Sequence, residues 1–103
     1  MLAVKFTGLQ IEEVAHKMCI VRDEPELQES YGISQADADF LAELFLRAAP
    51  GIVTFDQKFR DTIAGEIEDG MLPMLANWQD CGDQCAGGIY RSMSKALAAV
   101  RAA

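Results

Sequence analysis

Few side chains in this sequence could perform acid–base or nucleophilic chemistry. His16 is the only histidine, and it falls on the polar face of a predicted helix with no serine or cysteine placed beside it as a nucleophile. We therefore expect His16 to be an exposed surface residue, with a pH-sensing role as the alternative. The sequence predicts no catalytic residues and a protein that is not an enzyme.

The three cysteines supply too few ligands for a metal centre. Cys81 and Cys85 are four residues apart, but a structural zinc ion needs four ligands, and Cys19 and His16 are far away in the sequence. We predict no metal and no cofactor, and we interpret Cys81 and Cys85 as two small buried hydrophobic residues. The alternative is a disulfide between them, which would form only after oxidation. The odd number of cysteines and the lack of an apolar leader favour a reduced, cytoplasmic location.

One carboxylate interrupts the clearest helical pattern in the chain, which runs from Thr54 to Gly70. Thr54 and Gln57 predict a capping box at the start of this helix, and Gly70 predicts its end. Glu66 projects into the apolar face, and we expect its head to reach water at the edge of that face because buried unpaired glutamate is rare. The alternative is a buried carboxylate with a partner or a raised pKa. The apolar face comprises Phe55, Phe59, Ile63 and Ile67.

Amphipathic periodicity predicts three further helices around this one. The first spans Gly8–Arg22 and begins with a Thr7 and Gln10 capping box. The second begins at Ser34, has Asp37 in the capping-box position and stops at Pro50. The last is capped by Asp83, and the glycines at its start indicate a close helix crossing or a delayed start. The predicted buried stripe of the second helix is Phe40, Leu41, Leu44, Phe45 and Ala48, with Leu46 off it.

Two segments are less regular. Asp23–Gly32 reads as an acidic loop with at most one helical turn, opened by Pro25. Met71–Asp80 forms either a short separate helix or a continuation of the preceding helix, kinked at Gly70 and Pro73.

These elements predict an all-α fold, a compact bundle of four or five short helices in a single acidic domain over residues 1–103. Alternation over Met1–Thr7 adds a short N-terminal strand. The alternative is an α+β fold with a two-stranded N-terminal hairpin, in which Met18–Val21 pairs with Leu2–Phe6. No segment has the run of about 20 apolar residues that spans a membrane.

Charge is the strongest functional signal. Nine lysines and arginines oppose 16 aspartates and glutamates, a net charge of −7, which disfavours direct nucleic-acid binding. We expect a non-enzymatic protein that binds a basic surface of a protein partner, most simply as an inhibitor. An immunity protein or a phage inhibitor of a nuclease complex such as CRISPR machinery, acting as a nucleic-acid mimic, would have this chemistry. The predicted partner-binding residues are Asp23, Glu24, Glu26, Glu29, Asp37, Asp39 and Glu43.

Three weaker hypotheses remain beside this one. A structural or self-assembling subunit, including a homo-oligomer, would use exposed apolar side chains; we expect these at Leu46, Met71, Leu72 and Trp78. An enzyme working through carboxylates alone would use Glu66. A nucleic-acid binder would have only three basic residues in the last helix to counter the acidic remainder.

Overall fold

The computed structural model describes residues 1–103 and contains five α-helices and one two-stranded antiparallel sheet. In chain order the elements are β1 (Leu2–Phe6), α1 (Gly8–Asp23), α2 (Pro25–Tyr31), α3 (Gln35–Arg47), β2 (Gly51–Phe55), a 3₁₀ turn (Gln57–Phe59), α4 (Arg60–Cys81) and α5 (Gln84–Ala102). The predicted helical bundle with a short N-terminal strand is confirmed. None of the helices is both long enough and apolar enough to cross a membrane.

The second strand of the sheet differs from the predicted one. β1 pairs with β2 in a register that places Val4 opposite Val53, whereas Met18–Val21 lies in α1. Val53 and Phe55 are buried together with Val4 and Phe6 of β1, because alternate side chains of each strand point to the same face. The two-residue period of β1 was therefore interpreted correctly, but its partner strand was not found.

The beginning and end of α4 also differ from the prediction. Phe55 belongs to β2, and Asp56 rather than Thr54 caps the following turn, accepting a hydrogen bond from the Lys58 amide at 2.9 Å. The helix continues through Gly70 and Pro73 to Cys81, so the segment is the predicted continuation of the preceding helix and not a separate short helix. It ends at Gly82, whose φ of 68° is the left-handed conformation that glycine adopts most easily.

The core lies between the sheet and helices α1, α3, α4 and α5. α1 contacts β1 and each of the other four helices, and all its predicted core residues are buried: Ile11, Val14, Ala15, Met18 and Val21. Phe6 of β1 meets Phe45 of α3 edge to face, with ring centroids 5.6 Å apart. This geometry matches the preferred arrangement of aromatic pairs.

The buried face of α3 is rotated relative to the prediction. Ala38, Leu41, Ala42 and Phe45 are buried, which is the i, i+3, i+4, i+7 pattern of a single face. Phe40 was predicted to be buried but is 53% exposed, stacking on Phe59 at 6.0 Å. Leu46 is exposed, as expected.

α4 and α5 pack against each other at a glycine. A Cβ atom on Gly87 would lie 2.7 Å from the Trp78 ring, whereas one on Gly88 would meet nothing within 4 Å. Of the two outcomes predicted from these glycines, a delayed helix start is wrong, since α5 begins at Gln84. The close approach that the structure shows is between Gly87 and the Trp78 side chain of α4. Asp83 caps α5 as predicted, accepting from the amides of Cys85 and Ala86.

Candidate partner-binding surface

The predicted acidic loop is largely helical. Pro25 occupies the first turn of α2, where its missing N–H costs no intrahelical hydrogen bond. Gly32 ends the helix in the left-handed conformation with φ 67°. Asp23, Glu24, Glu26 and Glu29 are all exposed, so α2 presents the most acidic stretch of the chain on an ordered scaffold.

Gln28 holds α2 against its neighbours. It is 6% exposed, and its amide nitrogen donates to the carbonyl oxygens of Val21 and Arg22 at 3.0 and 3.1 Å and to Oε1 of Gln35 at 3.0 Å. The two carbonyls belong to the last turn of α1, where helical carbonyls lack intrahelical partners. One side chain therefore joins the end of α1, the middle of α2 and the start of α3.

The structure brings some of the predicted acidic residues together and separates others. Asp23, Glu24 and Glu26 line one shallow depression. Asp39 joins this region through Gln35, which donates to Oδ1 of Asp39 and to the Arg22 carbonyl, each at 3.0 Å. We call the set Asp23, Glu24, Glu26, Glu29 and Asp39 the acidic corner.

Asp37 and Glu43 have local roles. Asp37 forms the predicted capping box with Ser34, and Lys58 Nζ lies 3.4 Å from its Oδ1. Hydrogen bonding to the Ser34 amide, assisted by Lys58, lowers the pKa of Asp37. Glu43 pairs with Arg47 at 2.8 Å, one helical turn away. Both carboxylates are thus partly neutralised within the molecule and offer less to a partner.

The acidic corner carries little compensating charge. Of its five carboxylates, only Asp23 has a cationic group within 4.0 Å, Arg22 at 3.3 Å. Residues 23–46 contain seven acidic residues and no lysine or arginine. The other 79 positions hold nine acids and nine bases, so this segment accounts for the whole net charge of −7.

Glu66 is buried, contrary to the expectation of a solvated head. It is 2% exposed, and its Oε2 accepts a hydrogen bond from the Tyr31 hydroxyl at 2.7 Å. Lys17 Nζ lies 3.7 Å from Oε1 and 2.9 Å from Asp69 Oδ2. Partners from α1 and α2 make the burial tolerable, because a buried charge needs compensation.

Tyr31 is fitted closely to this carboxylate. A Cβ atom at position 65 would lie 2.7 Å from the Tyr31 hydroxyl oxygen, so Gly65 provides the space for the ring. Burial, together with the negative charge of Glu66 that it contacts, raises the pKa of Tyr31 well above its ordinary value. The phenol therefore remains a proton donor to Glu66 throughout the neutral range.

A groove of about 410 Å³ opens above this network, between α1, α2 and α4. Its lining includes the charged residues Lys17, Glu24, Glu66 and Asp69 and the apolar side chains Ile20 and Leu27. We call it the Glu66 groove. Since Glu24 belongs both to this groove and to the acidic corner, the two features form one continuous surface.

The remaining candidates for chemistry lie apart from the Glu66 groove. His16 is exposed, as predicted, and lines a different depression together with Cys19. Cys81 and Cys85 were predicted to be buried, but both are exposed and unpaired at the junction of α4 and α5. No group of three or more histidine, cysteine, aspartate or glutamate side chains is arranged to hold a metal ion.

No protein-family model matches the sequence, and neither a curated protein nor a solved structure gives a significant match to the chain. Function is therefore inferred from the geometry and charge of this molecule alone.

Proposed function

We propose that this protein is a non-enzymatic binding module whose acidic corner docks on a basic surface of a protein partner. The observation that supports the proposal best is the segregation of charge: residues 23–46 carry the entire net charge without one basic residue. Charge added for solubility alone would be interspersed with the opposite sign over the surface. Charge of one sign that is concentrated on one part of the surface steers an oppositely charged partner into one orientation.

The partner class that fits this surface is a protein with a groove or face rich in lysine and arginine. Proteins that bind nucleic acids have such surfaces because they neutralise phosphates. A small protein presenting carboxylates in place of phosphates would compete for that surface. We therefore propose an inhibitor as the most suitable form of the function, of the immunity-protein kind or of the kind that blocks a nuclease complex such as CRISPR machinery.

The test compares two triple charge reversals with the same net charge. In the first, Asp23, Glu26 and Glu29 are replaced by lysine; in the second, the exposed residues Glu12, Asp61 and Asp80 are replaced. Binding of a fluorescent decalysine peptide is followed by anisotropy at several salt concentrations. We expect the first variant to bind several-fold more weakly with a flatter salt dependence, and the second to stay close to the wild type.

Equal losses in both variants would show that only the net charge matters, which contradicts the proposal. The same pair of variants then serves as bait in affinity capture from the native host. A partner that binds the wild type and the second variant but not the first is the one that the acidic corner recognises.

A self-assembling subunit is the second candidate, and exposed apolar side chains favour it. Phe40, Leu46 and Ile52 are 53%, 55% and 70% exposed, and Phe40 and Ile52 line a groove of about 440 Å³ between α3 and β2. Of the side chains predicted for self-assembly, Leu46 and Leu72 are exposed, but Met71 is buried and Trp78 is half-buried against Gly87. A mass that rises with concentration in light scattering, and falls on Phe40→Ala substitution, would support this candidate.

A further inference from the structure

The Glu66 groove has an uneven charge balance. Glu24, Glu66 and Asp69 contribute three carboxylates, and Lys17 contributes the only cation among its lining residues. A concave site with an excess of one sign of charge and apolar walls concentrates the electric field, which attracts the opposite charge. The groove therefore favours a cationic group.

The buried carboxylate keeps one oxygen available to such a group. Tyr31 occupies Oε2 of Glu66, whereas Oε1 accepts no hydrogen bond within the protein and has only an ion pair with Lys17, whose Nζ lies 3.7 Å away. Lys17 instead donates to Asp69 at 2.9 Å. An oxygen of a carboxylate as deeply buried as that of Glu66 is stabilised strongly by a further charged donor.

The walls suit the other part of a basic side chain. Ile20 and Leu27 are half-buried apolar residues beside the three carboxylates. Lysine and arginine bury their methylene stems on apolar surface and keep the charged head with polar partners. The groove offers both surfaces in one place, and Glu24 at its rim leads into the acidic corner.

We propose that the Glu66 groove receives one arginine side chain of the basic partner, with its stem against Ile20 and Leu27 and its guanidinium between Glu24 and Glu66. Arginine is preferred over lysine because a planar guanidinium can donate to two carboxylates at once. This inference rests on the proposed function: the acidic corner supplies long-range attraction, and the groove fixes the position of one residue. Side chains anchored in pockets dominate many protein interfaces.

The test uses two short acetylated, amidated peptides that differ only in having arginine or the isosteric, uncharged citrulline at the central position. Amide chemical shifts of the ¹⁵N-labelled protein are followed during titration. We expect the arginine peptide to shift the resonances of Gly65, Glu66 and Leu27, and the citrulline peptide to leave them unchanged. Free argininamide as a third ligand shows whether the side chain alone suffices or the peptide backbone is required.

Two substitutions examine the roles of individual residues. Glu24→Gln, at the exposed rim, should weaken binding of the arginine peptide about three- to tenfold, because the substitution removes the charge of an exposed carboxylate but keeps an acceptor oxygen. Glu12→Gln, which is exposed on α1 and lies outside both the groove lining and the acidic corner, is the matched control and should change binding less than twofold. Lys17→Gln removes the internal cation and should strengthen binding, a result that a purely structural role of Lys17 would not produce.

Equal shifts with arginine and citrulline, or equal effects of Glu24→Gln and Glu12→Gln, would overturn the arginine site. The proposed function would survive either result, provided that the decalysine peptide still distinguishes the two triple reversals. If the decalysine peptide no longer distinguishes the two triple reversals and the groove does not bind the arginine peptide, both the proposed function and the arginine site are overturned.

Discussion

The hydrogen bond between Tyr31 and Glu66 should be a large contributor to stability for a single hydroxyl group. Its acceptor is a carboxylate that is 2% exposed, and the donor lies at 2.7 Å. Tyr31→Phe keeps the ring in the space beside Gly65 but leaves Oε2 without its donor. Hydrogen bonds to charged groups contribute about 1.5–3 kcal/mol. We expect the free energy of unfolding to fall by this amount, which is a large share of the roughly 5–15 kcal/mol typical of a small domain.

Urea denaturation followed by circular dichroism measures the effect, with an expected decrease in midpoint of the order of 1 M. Tyr90→Phe is the matched control, since the Tyr90 ring contacts Trp78 and its hydroxyl makes no hydrogen bond within the protein. Tyr31→Phe is then repeated in a Glu66→Leu background, which lacks the carboxylate that needs the donor. In that background Tyr31→Phe should cost almost no free energy of unfolding. An equal cost of Tyr31→Phe in both backgrounds would refute the interaction.

Two further predictions concern Tyr31 of α2 and the contact between α4 and α5. The folded protein holds the pKa of Tyr31 above the ordinary value of 10.0. The contribution of Tyr31 to the free energy of unfolding is therefore fully present below pH 10 and declines as the pH rises through the pKa of the folded state. In alkaline denaturation, the free energy of unfolding of Tyr31→Phe should decrease less steeply with pH than that of the wild type. Gly87→Ala should destabilise the protein by about 1–3 kcal/mol because its Cβ meets the Trp78 ring, whereas Gly88→Ala, which has open space, should stabilise α5 by about 1 kcal/mol. Thermal melts of the two alanine variants give the comparison, and equal shifts would contradict it.

Features specified by neighbouring residues were predictable from the sequence. The capping boxes at Thr7 and Ser34 and the cap at Asp83 are present, because each depends on a side chain and amides within three residues. The buried face of α1 followed from its helical period in the same way. Local chemistry thus determined where these helices begin.

Features decided by distant contacts were not predictable. Phe55 lies four residues before Phe59, so it fitted the apolar stripe of a helix. In the structure Phe55 belongs to β2, where it and Val53 are the buried alternate residues of the strand. Gly70 has low helix propensity, yet α4 continues through it, since packing routinely overrides the preference of one residue. Glu66 is compensated by Tyr31, 35 residues away, and no short-range pattern connects the two.

The proposed function was harder to infer than the fold because it depends on which acids remain uncompensated. Composition identified seven candidate acids between Asp23 and Glu43, but it could not show that Asp37 and Glu43 are engaged by Lys58 and Arg47. Nor did it reveal Gln28, whose amide holds α2 in place. A signal was present in the sequence all the same: the absence of any base from residues 23 to 46.

The way in which α2 is fixed bears on how tightly the acidic corner can bind. A seven-residue helix is too short to be stable alone in water, and a disordered acidic segment would lose conformational entropy on binding. Here Gln28 joins one side of α2 to α1 and α3, and Tyr31 at its end is joined to α4 through Glu66. The ordering cost is therefore met during folding rather than during association. In the proposed interaction, buried Gln28 and Glu66 would hold in place the exposed carboxylates that contact the partner.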